Sequence, residues 1–255
     1  MVIVLKPDIS IGIFSPRIWE SLVKFSLLGQ IPRTGYVIWG NASGETKMRP
    51  ESVLEHSAIL AAFFGLLALY YPDSVIAENL QLFLMMALFH DAGEVEVGDI
   101  PKCRGKTEEE KASERKAFLK FINELGVTSP LRAELVALYD EKENRSTERG
   151  QILYCADSIM AILGGLFYKK LGRPSDIKSR LDYSGLNEVE EKIIAALKTD
   201  NQLDLWAAGF FIRVKPYLHL RMCSAMMEVL YVAMKDAYEE KPFVWIDDLP
   251  SDLFT

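Results

Sequence analysis

The pattern of hydrophobic and polar positions predicts helix over most of the chain. Segments 51–71 and 76–92 are apolar on nearly every side, as expected of central helices in an all-α core. The segment that begins at Ser15-Pro16 instead carries a broad apolar face, with Ser15 as N-cap and Pro16 in the first turn. We therefore predict an all-α fold, a compact helical bundle with additional helices towards the C-terminus.

Capping residues and helix breakers divide the rest of the chain. Residues 29–50 contain several glycines and two prolines, so we predict a long structured loop with a short extended piece at 36–39. Further helices are predicted at 107–125, 129–143, 146–171 and 188–199, followed by one helix or a helix pair at 202–239. The polar stretch 172–187 is the best candidate boundary within the chain.

Composition and charge exclude several classes of protein. A net charge of -7 and a pI near 5.2 argue against general nucleic-acid binding, which needs a basic face. The three cysteines, Cys103, Cys155 and Cys223, show no paired spacing and suit a reducing compartment. The N-terminus makes a poor signal peptide, and the longest apolar stretch, 58–71, is shorter than a membrane span. We expect a cytoplasmic protein that binds neither nucleic acid nor a membrane.

Candidate chemistry concentrates after the second apolar helix. One histidine and four carboxylates fall within ten residues there: His90, Asp91, Glu94, Glu96 and Asp99. A single histidine at a helix end is more often a hydrogen-bonded core residue, and acidic residues after a helix are usually solvated. The density of the cluster nevertheless favours a site over a solvated face. The other two histidines are His56, at the start of an apolar helix, and His219, which we expect to be structural.

Asp157 is the second unusual position, because it lies within a helix that is otherwise rich in Ile, Leu, Met and Ala. A buried, unpaired carboxylate carries a large desolvation cost, so it needs a cation or strong hydrogen-bond donors. A salt bridge or a cap to another helix would also satisfy this requirement.

In this order the residues resemble the H…HD…D signature of the HD superfamily of metal-dependent phosphohydrolases. Within it, the chain resembles the branch of 5'-deoxynucleotidases that act on deoxyribonucleoside monophosphates. The matching pieces are IPRTGYV at 31–37, RPESVLEHS at 49–57, HDAGEVEVGDIP at 90–101 and CADSI at 155–159. The separations fit as well, with 34 residues from His56 to His90 and 66 from Asp91 to Asp157.

The resemblance covers about 30–171 and implies an HD-domain helical bundle. We expect a single all-α domain over 1–255, with the HD core at about 30–171 and a C-terminal helical extension at about 172–255. The resemblance implies one divalent ion held by four ligands: His56, His90, Asp91 and Asp157.

The same resemblance assigns roles to four more residues. Glu94 would orient or deprotonate the attacking water, and Asp99 would lie beside the substrate or the leaving group. Arg33 would contact the phosphate, with Thr34 next to it in the substrate-binding stretch. Thr34 stands where some bacterial members carry a tryptophan that helps to sense the sugar, so a preference for deoxyribose stays open.

The implied ligand set constrains the ion. Two imidazoles and two carboxylates suit Mn²⁺, Co²⁺, Fe²⁺ or Zn²⁺ rather than Ca²⁺, and Ni²⁺ and Mg²⁺ are further candidates for the ion. HD enzymes with two metal ions use additional histidines, and only His219 remains, in a segment that does not match. We therefore predict one ion.

The leading functional hypothesis is a 5'-nucleotidase that releases phosphate from (deoxy)ribonucleoside 5'-monophosphates. An alternative keeps the metal site but takes a nucleoside triphosphate, a cyclic phosphodiester or a hyperphosphorylated guanosine. Such substrates need an extended basic lining, whereas Lys102, Arg104 and Lys106 form only a small cluster that is more ordinary as a solvated loop. A non-catalytic signalling module is a third alternative, although such modules typically lose metal ligands. Family members often form dimers, so we expect a homodimer.

Overall fold

The structure, a computed structural model, describes residues 23, 25–33, 51–99, 106–170, 207 and 210–237. Its α-helices are α1 (Val53–Tyr70), α2 (Val75–Glu78), α3 (Leu80–Phe89), α4 (Glu94–Val97), α5 (Glu108–Glu124), α6 (Ser129–Asn144), α7 (Glu148–Lys170) and α8 (Arg221–Ala237). Short 3-10 helices occupy Leu28–Gln30 and Lys215–Tyr217. The predicted all-α class is confirmed, because the described ranges contain no strand beyond one isolated bridge between Pro32 and Ser52.

Side-chain caps fix the starts of two helices close to their predicted positions. Ser52 and Glu55 form a capping box at the start of α1, and Thr107 and Glu110 form another at the start of α5. The predicted single helix at 76–92 is wrong, since α2 and α3 are separated at Asn79, whose φ of -119° and ψ of 26° are not helical. The chain leaves α3 before the predicted end and turns through 90–93.

Several other predictions lie wholly or largely outside the described residues. They are the helix from Ser15, the loop at 34–50 with its extended piece, the helix at 188–199, and Cys103, Lys102 and Arg104. The prediction for 202–239 is described in part, and there α8 follows a break at Lys215–Tyr217, which fits the helix pair.

Two hydrophobic cores organise the bundle. The larger core lies where α1 packs against α3 and where α7 packs against α8, and its largest buried side chains include Phe64, Phe83, Ile152, Ile159 and Phe211. The smaller core joins α4 and α5 to α6 and contains Ala92, Phe118, Phe121, Ile122 and Tyr139. Side chains of both cores line a small cavity that His90 and Lys142 also border. The candidate site therefore lies at the junction of the two cores.

Within the described ranges, two helices are long and apolar enough to cross a membrane, by length and composition alone: α1 and residues Glu148–Phe167 of α7. Both pack against other helices of the bundle. Each also carries a buried ionisable side chain, His56 on α1 and Asp157 on α7. Apolar helices that pack against their neighbours in this way are core helices of the fold.

Candidate metal centre

The structure brings the four predicted metal ligands together. Nε2 of His56 lies 2.9 Å from Oδ1 of Asp157, and Nε2 of His90 lies 3.0 Å from Oδ2 of Asp91. Nε2 of His90 is also 3.8 Å from the same Asp157 oxygen. All four residues are buried, and the side chain of Asp157 is the most exposed of them at 6%. Contacts link the two imidazoles and two carboxylates in the order His56, Asp157, His90, Asp91.

Each ligand reaches this group from a different piece of local structure. His56 lies in the first turn of α1, one turn after the capping box at Ser52. His90 is the C-cap of α3, so Asp91 already belongs to the turn and the adjacent pair is not held on a helix face. Asp157 comes from within α7 and meets His56 across 101 residues of sequence.

Both histidines are fixed in the same tautomer by acceptors outside the group. Nδ1 of His56 lies 3.1 Å from Oε1 of Glu51, and Nδ1 of His90 lies 2.8 Å from the backbone oxygen of Ala87. Each Nδ1 therefore faces an acceptor outside the group, and each Nε2 is directed at the carboxylates. This is how metal-binding histidines are ordinarily oriented.

The geometry of the donor set fits a divalent ion. Donors in adjacent positions of an octahedron with bonds of about 2.1 Å are about 3.0 Å apart, which matches the His56–Asp157 and His90–Asp91 separations. Burial lowers the pKa of His90, but the negative charges of Asp91 and Asp157 outweigh burial and raise the pKa above its ordinary value. The group thus attracts positive charge.

Arg33 lies beside the ligand group because its backbone pairs with the start of α1. The backbone N–H of Arg33 donates to the Glu51 carbonyl at 2.8 Å, and that of Val53 donates to the Ile31 carbonyl at 2.9 Å. Nη1 of Arg33 lies 3.0 Å from Oδ2 of Asp91 and 3.6 Å from Oδ1 of Asp99. The predicted phosphate contact and the predicted leaving-group residue are therefore neighbours of the ligands.

Arg33 keeps its positive charge although it is buried. Burial lowers the pKa of Arg33, yet the carboxylates of Asp99 and Asp91 outweigh burial and raise it well above its ordinary value. The predicted contact at Thr34 lies outside the described residues.

Glu94 is fully buried in the first turn of α4, one turn after Asp91. Its carboxylate is part of a second acidic group, in which one oxygen each of Asp91, Glu94 and Glu114 lie within 4.8 Å of one another. Gly93 permits this close approach of α4 to α5, since a Cβ at Gly93 would lie 2.6 Å from the backbone oxygen of Glu114.

Sequence reasoning missed four residues around the site: Glu51, Lys106, Glu114 and Lys142. The solvated position expected for Lys106 is wrong, because its side chain is buried and pairs with Glu114. Helical spacing could have identified Lys142, which falls on the same face of α6 as Leu135, Leu138 and Tyr139. His219 lies away from the site, where its exposed ring contacts the Pro216 carbonyl.

Lys142 keeps its charge although it is only 3% exposed. Burial lowers the pKa of Lys142, but Glu143 and Asp91 are the leading charges that outweigh burial and raise it well above its ordinary value. Nζ of Lys142 is 2.7 Å from Oε1 of Glu143 and 3.8 Å from Oδ1 of Asp91. A second buried cation therefore faces the ligand Asp91.

The sequence model of the HD domain family matches residues 31–198, two thirds of the chain. The chain belongs to the HD domain family. The matched range starts where the HD core was expected and extends past residue 171, so the predicted boundary there stays a prediction.

Two curated relatives of this HD protein carry the name 5'-deoxynucleotidase HDDC2. The Homo sapiens protein is 31% identical over 168 residues, which cover 64% of this chain and 76% of the relative. The Xenopus laevis protein is 30% identical over 156 residues, 60% of this chain and 71% of the relative. The predicted membership of the 5'-deoxynucleotidase-like branch is confirmed, and the chain is a phosphohydrolase enzyme.

Proposed function

We propose that this HD-domain phosphohydrolase is a metal-dependent 5'-nucleotidase that releases phosphate from (deoxy)ribonucleoside 5'-monophosphates. The observation that carries the proposal is the meeting of His56, His90, Asp91 and Asp157 with Arg33 in one buried group. The names of the relatives support a nucleoside monophosphate over the triphosphate, cyclic and hyperphosphorylated alternatives. The complete ligand set argues against a non-catalytic module.

In this proposal the four predicted ligands hold one divalent ion, which is Mn²⁺, Co²⁺, Fe²⁺, Zn²⁺, Ni²⁺ or Mg²⁺. Such an ion polarises the phosphoryl group and lowers the pKa of bound water. His56, His90, Asp91 and Asp157 would hold the ion, and water and the substrate phosphate would reach it from the side of Arg33. The Nδ1 contacts of His56 and His90 orient both rings so that each Nε2 would face the ion.

The remaining polar side chains act on the substrate and the water. Arg33 offsets the charge on the phosphate oxygens, for which its planar fork of N–H donors is suited. Glu94, buried next to Asp91, orients the attacking water and accepts its proton. Asp99, whose Oδ1 lies 3.6 Å from Nη1 of Arg33, would lie beside the substrate or the leaving 5'-oxygen.

We also propose that the enzyme is cytoplasmic and homodimeric. Cys155 and Cys223 are free buried thiols, which suits a reducing compartment. Exposed apolar side chains on α8, Val229, Tyr231 and Val232, support a helical interface between two copies. Size-exclusion chromatography with light scattering tests the dimer, and a monomer at micromolar concentration would contradict it.

A phosphate-release screen tests the activity. EDTA-treated protein is supplied with each divalent ion in turn and assayed on all ribo- and deoxyribonucleoside 5'-monophosphates. We expect release that depends on the ion and is absent with EDTA. The matched control is Asp140→Ala, which removes an exposed carboxylate that pairs with Arg115 and should keep full activity. Failure to release phosphate from any monophosphate with any ion would overturn the proposal.

A further inference from the structure

The buried polar region contains a second group with the dimensions of a cation site. One oxygen each of Asp91, Glu94 and Glu114 lie within 4.8 Å of one another, and all three residues are at most 1% exposed. Three carboxylates of this kind suit a hard divalent ion such as Mg²⁺ or Mn²⁺. Asp91 belongs to this group and to the histidine group, so the two groups share a carboxylate.

The chain places its own cations at this second group. The ammonium group of Lys106 pairs with Oε2 of Glu114, and both side chains are buried. Nζ of Lys142 faces Oδ1 of Asp91 at 3.8 Å. The two lysines together supply two positive charges, which is the charge of one divalent ion.

The two oxygens of Asp91 face different cationic surroundings. Oδ2 lies 3.0 Å from Nε2 of His90, which makes it the oxygen on the side of the histidine group. Oδ1 lies on the side of Lys142. A carboxylate can bridge two metal ions with one oxygen on each, but here Oδ1 of Asp91 already faces the ammonium group of Lys142.

Packing prevents Lys142 from leaving this position easily. Lys142 borders the cavity at the junction of the two cores, where its neighbours include Phe89, Leu138 and Leu153. It also lies on the buried face of α6, one and two turns after Leu138 and Leu135. If the Lys142 side chain turned to water, its methylene groups would lose their burial. The negative charges of Asp91 and Glu143 would also lose a nearby positive charge.

We propose that the ammonium groups of Lys106 and Lys142 stand in for a second metal ion and keep this centre at one ion. The inference rests on the proposed function, since it takes the histidine group as the site of the single ion. It gives a physical reason for one-ion chemistry in addition to the small number of histidines.

The test removes both charges while keeping the length of both side chains. The variant Lys106→Met/Lys142→Met is loaded with Mn²⁺, desalted and analysed for metal per chain by mass spectrometry. We expect one ion in the unchanged protein and two in the variant, with a spin-coupled Mn²⁺ resonance spectrum because the two ions share Asp91. A purely structural role of the lysines would lower the metal content and could not raise it.

Two control variants sharpen the comparison. Lys106→Arg/Lys142→Arg keeps both charges and should stay at one ion. Lys111→Met/Lys120→Met removes two exposed lysines that pair with Glu108 and Glu96, and it should also stay at one ion. If the double methionine variant does not fold, Lys142→Met alone is titrated with Mn²⁺ by calorimetry and should gain a second, weaker site.

The outcomes separate this inference from the proposed function. One ion in both the unchanged protein and the methionine variants overturns the inference and leaves the nucleotidase proposal standing. Two ions in the unchanged protein have the same consequence. An unchanged protein that binds no ion and releases no phosphate overturns both.

Discussion

Two buried groups of comparable size lie side by side in this protein, and each places three ligand atoms within 4.8 Å of one another. The first contains His56, His90 and Asp157, and the second contains Asp91, Glu94 and Glu114. In the second group, the ammonium groups of Lys106 and Lys142 face Glu114 and Asp91. In the first group, Nδ1 of an imidazole already faces an acceptor outside the group. Its Nε2 can therefore bind a metal ion or a proton instead. The comparison shows that two groups of similar size differ in donor type: the first pairs imidazoles with one carboxylate, whereas the second is all carboxylate and has lysines of the chain beside it.

Removing a ligand from the histidine group should have the largest effect. We expect Asp157→Ala to lose both the bound ion and about 10⁴-fold or more in kcat/KM, because the ion supplies several kcal/mol of charge stabilisation. Metal analysis and phosphate release measure the two losses. Full metal occupancy in this variant would show that Asp157 is not a ligand.

Neutralising Glu94, a member of the second group, should separate metal binding from rate. Glu94→Gln is expected to retain the ion and to lose on the order of 10²–10⁴-fold in kcat, the usual contribution of a general base. Glu96→Gln is the matched control, since Glu96 lies in the same short helix but is exposed and pairs with Lys120. Equal activities of the two variants would remove Glu94 from the mechanism.

Changing the outer partner of His56 should have the smallest effect of the three. Glu51→Gln weakens the acceptor for Nδ1–H, so we expect metal affinity to fall by about 10–100-fold while kcat at saturating metal changes little. Competition with a chelating dye measures the affinity. Glu55→Gln serves as control because glutamine can still complete the capping box with Ser52, and an equal loss of affinity there would argue against a role of Glu51 through His56.

Local signals in the sequence predicted much of the fold. The start of α5 followed from Thr107 and its acidic first turn, and its end followed from Gly126, which has a φ of 66°. The separation of α2 from α3 was not predicted, because apolar residues continue on both sides of Asn79 and hide the change of backbone direction.

The site was predicted only as far as its residues carried a motif. His56, His90, Asp91 and Asp157 were found through their order and spacing, and the structure brings them together. Lys142 lies within a run of charged residues that is typical of solvated surface. Its position on the buried face of α6 was therefore not predicted. Which charged residue turns inward depends on the packing of α6 against α7, and composition alone does not specify that.

The contact between His56 and Asp157 spans 101 residues. An ion held by both side chains closes that long loop, so it acts as a reversible cross-link between α1 and α7 that needs no covalent chemistry. Its binding energy is then also folding energy, and a free ion concentration of about 100 times the dissociation constant adds about 2.7 kcal/mol to the free energy of unfolding. The supply of metal in the cell would thus set the lifetime of the folded enzyme as well as its rate.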